Sequence, residues 1–519
     1  MEPLEGNELS RQANIVYQED LNVLLADTSR IMKFISHHFT HQRPRLEMLD
    51  KYYKDENKGI NKRRSRADAG KADYRAAHSF AKYIADFQAS YSVGNPINVK
   101  LPSDANADRF NEIMNANDVD AQNYDLFLDM TKFGRAYEYI YRGDDNIEHL
   151  VRLDPLETFV IYSLDVDPKP IMAVRYHQVE LVDDDGVASI NYAPEYWTDK
   201  EHVKYKPTPI DGVLTPITSG DKNIKERMTT FPVVEYKNNN IRFGDYENVI
   251  SLIDLYDAAQ SDTANYMTDL NDAMLVISGD IDTLFDGSDI LQGVDPNDTD
   301  AMNKLAKDKL DILQEMKDAN LLLLKSGFNA NGGQTTTNAG YIHKEYDVTG
   351  TEAYKKRLAN DIHKFSHTPD LTDENFASNS SGIAMKYKVL GTVELAATKR
   401  RMFEKGLYQR LAIISEIESK ASTDLKLDLQ QVQFTFRDNL PIDDIGQIQQ
   451  LTSAGATLPQ KYLYQFLPNV TDPDEIAKMM AEQPSEFGLD RGERDEDAPT
   501  IDEGVRRQTS ESGQEQQAD

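Results

Sequence analysis

Apolar residues recur at helical spacing in several parts of the chain, and the longest such stretch runs over residues 383–420. It contains no proline and two glycines, and its apolar positions follow the period of a helix: Val393, Ala397, Phe403, Leu407, Leu411, Ile414 and Ile417. A shorter helical pattern, 351–367, precedes it and ends at Thr368-Pro369, because proline disfavours helix in the residue before it. Turn-forming and small polar residues fill 370–382 between the two. We therefore expect a helix, a loop and a long helix in succession.

Four more stretches have helical spacing, at 28–53, 74–91, 105–133 and 244–270. In the last of these, apolar and aromatic residues from Val249 to Leu270 are expected on one side of the helix. Asp254, Asp257, Asp262 and Asp269 are expected on its other faces.

From residue 135 to about 236 the apolar period changes to two. The strands predicted there are 136–142, 158–162, 171–177, 188–192 and 195–198, and Asp183-Asp-Asp-Gly186 is expected to form a hairpin turn. A further strand is predicted at 97–101. Sheet and helices together indicate a helix-rich α+β protein.

Residues 272–346 form a smaller pattern between two predicted helices. Strands are expected at 273–278, 321–325 and 341–346, with a helix at 302–317. This arrangement predicts a small α/β insert carried on a pair of helices.

The ends of the chain are more polar. We expect residues 1–29 to be a flexible segment, 422–441 to carry a strand at 432–437, and 442–483 to form short helices. The tail at 484–519 is acidic and poor in apolar residues, so it is expected to be disordered.

The composition of the chain excludes several classes of protein function. The chain has 519 residues, no cysteine and a formal net charge of −31. Lack of cysteine excludes disulfides and thiol chemistry, and no apolar run approaches the ~18–20 residues that span a bilayer. The first residues lack the order of a signal peptide, so an unsecreted protein without membrane contact is expected. An acidic chain should hold DNA weakly or only let it pass.

One basic cluster stands out, Lys62-Arg63-Arg64-Ser65-Arg66. It could contact a phosphate, although a solvated loop is the commoner role of such a run.

Motifs for catalysis are missing: the chain has no phosphate-binding Gly-rich loop, no nucleophile elbow and no zinc-binding His-Glu-x-x-His. His37 with His41, and His363 with His367, are spaced to chelate a metal from one helix face, but exposed structural histidines are the commoner case. Residues 295–300 lack the glycine and glutamate of a calcium loop. We predict no enzyme, no cofactor and no bound metal.

Several motifs together resemble the portal proteins of long-tailed bacteriophages. They are Tyr91-Ser-Val-Gly-Asn-Pro-Ile97, Phe231-Pro-Val-Val-Glu-Tyr236, the run from Gly244 to Tyr256, Ser261-Asp-Thr-Ala-Asn265, and Asn379-Ser-Ser-Gly-Ile-Ala-Met-Lys-Tyr-Lys388. The resemblance covers about residues 30–480.

The resemblance implies a ring of twelve subunits at one capsid vertex, a structural protein of the virion assembled in the host cytoplasm. It implies the portal fold: a wing of helices and mixed sheet (30–243), stem helices at 244–271 and 347–369, and a clip (272–346). A tunnel loop (370–382), a long kinked wing helix (383–421), a wing strand (422–441) and a helical crown (442–483) complete it. Double-stranded DNA would pass the channel without sequence preference during packaging and ejection. Expected partners are the terminase large subunit, the head–tail adaptor, and the major capsid and scaffolding proteins.

Three sets of site residues follow from the resemblance. The tunnel loop would face DNA with Asn375, Phe376, Ser378, Asn379, Ser380 and Ser381. Basic residues that could line the channel, or else be solvated or pair between subunits, are Lys355, Lys356, Lys364, Lys386 and Lys388. The clip contact loop would include Gly327, Asn329, Asn331 and Gln334.

Two other functions stay open at this point. One is a metal-dependent nuclease or other hydrolase among the many carboxylates. The other is an oligomeric scaffold or adaptor that does not touch DNA.

Overall fold

The computed structural model describes most of the chain up to residue 439. The described residues are 15–66, 71–182, 186–219, 222–269, 274–279, 321–325, 338–342, 347–372 and 389–439, with 224, 229, 422, 424 and 426 excepted, and the single positions 307, 311, 315 and 453. Contacts divide the chain into two units, Met1–Leu440 and Pro441–Asp519. The helices and strands with described bounds all belong to the first unit.

Most of the described helices appear where the 3.6-residue period predicts them; the short helices Leu21–Ala26 and Lys58–Asn61 were not predicted. In chain order the helices are α1 Leu21–Ala26, α2 Ser29–His37, α3 Arg43–Tyr53, α4 Lys58–Asn61, α5 Phe80–Val93, α6 Ala107–Ala116, α7 Val119–Phe133, α8 Ile250–Asp269, α9 Val348–Phe365 and α10 Leu390–Lys420. A π-helical turn, His38–Gln42, joins α2 to α3 just before Pro44. Such a turn fits the place where a proline cannot donate its backbone hydrogen bond.

The described strands form several separate sheets. They are β1 Ile15–Tyr17, β2 Asn98–Lys100, β3 Arg135–Arg142, β4 Glu148–Leu153, β5 Thr158–Ser163, β6 Pro170–Val182, β7 Ala188–Trp197, β8 Glu201–Lys204, β9 Thr218–Ser219, β10 Lys222–Asn223, β11 Lys225–Arg227, β12 Val233–Lys237, β13 Met274–Gly279, β14 Leu321–Lys325, β15 Asn338–Ile342 and β16 Gln433–Thr435.

The largest sheet has the order β1-β5-β6-β7-β8-β11, and a three-stranded sheet has the order β12-β3-β4. The expected hairpin joins β6 and β7, with Gly186 at φ 78° in the turn. The mixture of helices and sheets confirms the α+β class. β4 and β8 are strands that alternation did not predict.

The N-terminal expectation is wrong for residues 15–29. β1 pairs in parallel with β5, Ile15 opposite Ile161. Leu24 of α1 is fully buried in the same apolar cluster as Ile31 and Ile35. Apolar anchors hold this short segment although its composition is polar.

The long helix α10 lies at the centre of another core. Phe403, Leu407, Leu411 and Ile414 are buried with residues of α7, β3 and β12. At Gly406 a Cβ atom would lie 2.3 Å from the Tyr236 ring, so only glycine fits this crossing. The segment 383–388, expected in the same helix, lies outside the described residues.

A second expectation fails between residues 74 and 79. Helix α5 begins at Phe80, and the residues before it run as irregular chain along α8. The reason is a tertiary contact: backbone N–H groups of Tyr74, Ala76 and His78, at every second residue of an extended chain, bind polar side chains of α8.

The insert has a three-stranded sheet of mixed direction. β13 pairs in parallel with β14 and antiparallel with β15. The last strand, Asn338–Ile342, begins before the expected 341–346, and residues 343–346 lie outside the described residues. The helix expected at 302–317 is described only at single helical positions, 307, 311 and 315.

Candidate nucleic-acid interface

Helices α8 and α9 pack side by side, as expected of the two helices that carry the insert. Ile253 and Ile362 are both fully buried in one apolar cluster. The Asp347 side chain caps α9 by accepting a hydrogen bond from the Gly350 N–H at 2.8 Å. The apolar contact thus holds the pair together, and the cap stabilises the first turn of α9.

The start of the expected tunnel loop is fixed to the body of the protein. His367 has a left-handed backbone (φ 52°), which ends α9. Thr392 donates to the His367 carbonyl at 2.6 Å, and Tyr83 donates to the Pro369 carbonyl at 2.8 Å. Gln88 donates to the Thr368 hydroxyl at 3.3 Å. Helices α5 and α10 therefore fix where the loop begins.

The expected basic residues divide into two groups. Lys355 does not fit a channel-lining role, because it is 6% exposed, donates to Gln260 at 3.0 Å and pairs with Glu352. Lys356 and Lys364 are exposed on α9. Lys386 and Lys388 lie outside the described residues.

The other predicted site residues lie outside the described part of the chain. In the tunnel loop they are Asn375, Phe376, Ser378, Asn379, Ser380 and Ser381; in the clip loop they are Gly327, Asn329, Asn331 and Gln334.

The charged residues of α8 and α9 differ in sign, although on α8 Asp257 is buried and Asp262 and Asp269 are paired with arginines. α8 contains four aspartates and no lysine or arginine, whereas α9 contains four basic residues and two acidic ones. Large apolar side chains are also exposed on this pair: Leu255 by 48%, Met267 by 44%, Tyr354 by 47% and Phe365 by 49%.

The buried face of α8 is apolar at Ile253, as expected from the sequence, but from Asp257 onward it carries polar side chains, which was not expected. Asp257, Ser261 and Asn265 are all nearly inaccessible. They accept hydrogen bonds from the backbone N–H groups of His78 (3.0 Å), Ala76 (2.9 Å) and Tyr74 (2.6 Å). Four helical residues rise about 6 Å, close to the ~6.6 Å of two extended residues. In the sequence, the four-residue spacing of Asp257, Ser261 and Asn265 is the pattern that indicates a shared polar face of the helix.

A second segment runs the other way along the same helix. Gly59 lies against the Asp254 carboxylate, Arg63 pairs with Asp262 at 2.6 Å, and Arg66 pairs with Asp269 at 2.9 Å. We call residues 58–66 and 71–79 together the clasp. Two of the arginines predicted to contact phosphate or solvent are thus bound to α8.

Asp257 sits at the crossing of the clasp and α8. Its side chain is fully buried and also accepts from Asn57 at 2.6 Å and from His78 Nδ1 at 2.7 Å. Nearby, burial raises the pKa of Asp254, which accepts a hydrogen bond from Tyr52 at 2.7 Å. These carboxylates have structural partners.

Helix α10 carries buried charges that are paired within the subunit. Arg410 donates to Glu138 at 2.8 and 2.9 Å and to Asn123 at 2.8 Å. Lys399 pairs with Asp245, and burial lowers the pKa of Lys399. Near the end of the helix, Glu418 accepts from Arg109 and Arg142.

Metal chelation by paired histidines has no support in the geometry. The His37 and His41 rings stack at 4.5 Å, but His41 Nδ1 contacts Thr40 and the His37 carbonyl. His367 lies beyond the end of α9, so it does not share a helix face with His363. Among the described residues, no three histidine or acidic side chains are grouped to hold a metal ion. No helix of that part is long and apolar enough to cross a membrane.

Comparison with known proteins supports the resemblance seen in the sequence. The family model for phage portal proteins, SPP1 Gp6-like, matches residues 32–486. The portal protein of Clostridium phage phiCD119 is 21% identical over 436 residues, which cover 79% of this chain and 85% of that protein. The portal protein of Bacillus phage SPP1 is 25% identical over 293 residues, 53% of this chain and 56% of that protein.

Solved structures from gene transfer agent particles are more distant. A chain of the neck of an empty particle has a TM-score of 0.39 at 13% identity, covering 78% of this chain and 91% of its own length. A chain of the native virion has a TM-score of 0.34 at 12% identity, covering 85% and 94%. Scores this low do not establish a shared fold.

Proposed function

The chain belongs to the SPP1 Gp6-like family of phage portal proteins, structural proteins of the virion capsid, and on that premise we propose how it acts. Twelve copies form a ring at one capsid vertex. Double-stranded DNA passes through the ring during packaging and ejection. The observation that carries this proposal is the family match, which spans residues 32–486.

Exposed apolar side chains on α8 and α9 support contact between copies. Leu255, Met267 and Tyr354 are each more than 40% exposed on these two helices. The exposed apolar side chains of α8 can meet α9 of the next copy in a heterologous contact, and repeated contacts of that kind close into a ring.

Net charge supports a channel that does not grip DNA. Twelve copies carry 12 × −31 = −372. Since affinity for DNA comes mainly from neutralised phosphates, such a body holds the duplex weakly and lets it move. The exposed Lys356 and Lys364 would supply mild positive charge at the helix pair.

The remaining parts keep the roles that the resemblance gives them. Residues 30–243 with the strand near 433–435 form the wing, α8 and α9 the stem, 272–346 the clip, and 442–483 the crown. The clip would dock the terminase large subunit during packaging and the head–tail adaptor afterwards. The wing and crown would contact the major capsid and scaffolding proteins.

The loop at 370–382 would contact the moving duplex. The residues just before it, 367–369, are anchored by Tyr83, Gln88 and Thr392, while its small polar side chains are unsuited to base readout.

Deletion of residues 375–381 tests this function. We expect the variant to assemble into rings and to fail in DNA packaging, measured as nuclease-protected DNA in capsids. The control removes residues 183–185 from the β6–β7 turn and should package normally. Normal packaging by the loop deletion would disprove the proposed role of this loop.

A further inference from the structure

The clasp and the first turn of α5 form the most basic stretch of an otherwise acidic chain. Residues 58–82 contain eight basic and two acidic side chains in a protein of net charge −31: Lys58, Lys62, Arg63, Arg64, Arg66, Lys71, Arg75 and Lys82 against Asp68 and Asp73. Such local concentration of one charge is an electrostatic footprint that marks a polyanion contact.

Three of these basic residues already have partners inside the subunit. Arg63 and Arg66 pair with aspartates of α8, and Arg75 pairs with Asp73 at 2.8 Å. Arg75 also donates to the Asn61 carbonyl at 3.1 Å and to the Ser65 hydroxyl at 2.8 Å. These contacts tie the outgoing segment of the clasp to the returning one.

The other five basic side chains are open to solvent. Lys58, Lys62, Arg64, Lys71 and Lys82 are all exposed. Within the described part of the chain, none of them forms an ion pair. The arginines bound to α8 therefore hold the backbone, while these five remain available at the surface.

The clasp also has a fixed position and a length that suits a nucleic acid backbone. Its contacts along α8 run from Asp254 to Asp269, a rise of about 22 Å. Backbone N–H groups of the returning segment donate hydrogen bonds to Asp257, Ser261 and Asn265, which hold it in place. A strip of this length spans several phosphates, because duplex phosphates along one strand are about 3.4 Å apart in rise.

We propose that Lys58, Lys62, Arg64, Lys71 and Lys82 form a phosphate-contact surface of the portal, which binds the backbone of double-stranded DNA without sequence preference. This rests on the proposed function, since it takes the duplex in the channel as the ligand. It gives each subunit of an acidic ring one place with affinity for DNA. The clasp ties that place to α8, so a contact with DNA would act directly on a stem helix.

A triple variant, Lys62→Gln with Arg64→Gln and Lys71→Gln, tests the proposal in the assembled full-length protein. The matched control is Lys169→Gln with Lys200→Gln and Lys206→Gln, three exposed lysines of the sheet region. The probe is a linear duplex of mixed sequence, titrated by fluorescence anisotropy between about 50 and 200 mM salt. Solution mass is measured on the same samples.

We expect the clasp variant to keep the mass of the wild type and to lose about tenfold or more in affinity at low salt. The slope of log K against log salt should become shallower by about 0.9 for each phosphate that the variant no longer neutralises. The control should match the wild type in both readouts.

Three results would overturn the proposal. Equal affinity and slope in the clasp variant would show that the surface does not touch DNA. If the clasp variant loses the mass of the ring but binds DNA unchanged per ring, the basic surface instead contacts an acidic face of a second copy. Failure of the wild type to bind duplex at low salt would refute this surface alone, because the packaging assay of the loop deletion tests the proposed function separately.

Discussion

The long helix α10 and the outer face of α9 place their charged side chains differently. On α10, Lys399, Arg410 and Glu418 are at most 2% exposed, and each is paired with a residue of the same subunit. On α9, the Arg357 side chain is 83% exposed, and its Nε lies 4.0 Å from the Asp361 carboxylate, a loose ion pair. Buried ion pairs fix α10 within the subunit, whereas the exposed side chains of α9 are available to other molecules.

The buried ion pairs therefore stabilise the fold of the subunit, whereas the exposed side chains can form contacts between subunits of a ring. A buried charge that loses its partner is costly, because it stays out of water without compensation. An exposed ion pair contributes little, since water already solvates both groups. Substitutions on the two regions should therefore affect different measurements.

The largest effect is expected for Arg410→Met, which leaves the Glu138 carboxylate buried without its arginine. We expect a loss of about 3–5 kcal/mol in the free energy of unfolding, measured by denaturant titration. Arg357→Met is the control and should change it by less than about 0.5 kcal/mol. Equal losses in the two variants would show that burial does not distinguish these regions.

The free energy of unfolding, measured as a function of pH, should show the contribution of the buried ion pair Glu235–Arg242 in the same part of the subunit. Burial acts to raise the pKa of Glu235, but Arg242 outweighs it and lowers that pKa from 4.5 to about 2. A carboxyl whose pKa is lowered by folding stabilises the fold above its unfolded value. Its contribution, about 3 kcal/mol, should be lost as pH falls from about 4.5 towards about 2.

The variant Glu235→Gln should therefore show a flatter decline of unfolding free energy over this acid range. Glu112→Gln, at a side chain that is 55% exposed, should keep the slope of the wild type. The same slope in all three proteins would argue against this pair as a source of acid sensitivity.

Two glycines of α10 compare a crowded position with a less crowded one within the same helix. Gly406→Ala would place a methyl group 2.3 Å from the Tyr236 ring, so we expect a loss of about 1–3 kcal/mol from overpacking. At Gly391 the nearest side-chain atom would be 3.2 Å away, and alanine there should be neutral or gain up to about 1 kcal/mol from helix propensity. Thermal unfolding measures both, and a reversed order would contradict the close crossing.

The smallest effect on the subunit itself is expected for Leu255→Asp on the exposed face of α8. Because Leu255 is 48% exposed, unfolding free energy should change by less than about 0.5 kcal/mol. The ring should nevertheless be weakened, as seen in solution mass. Leu164→Asp, at a residue that is 64% exposed, should leave assembly intact; equal assembly of both variants would remove α8 from the contact.

Local patterns predicted much of the fold. The apolar period identified the long helix α10 and the helix pair, and alternation identified β5, β6 and β7, three of the six strands of the largest sheet. β4 was missed because Glu148–Leu153 mixes charged and apolar residues without clear alternation. β1 was missed because three residues are too few to carry a pattern, and its stability comes from pairing with β5.

Less of the site could be predicted. Residues 74–79 have helical spacing, yet their backbone binds Asp257, Ser261 and Asn265 of a helix about 180 residues away in sequence. Lys355 looked like its exposed neighbours but is buried against Gln260. Both facts depend on which elements meet in space, and periodicity within one element cannot show that.

Native mass measurement of the purified wild-type protein tests the central claim most directly, that copies of the chain join into a closed ring. With a subunit of 58.8 kDa, we predict a closed assembly of twelve near 12 × 58.8 = 706 kDa, with a central hole in electron micrographs. A monomer or dimer across the whole concentration range would contradict it.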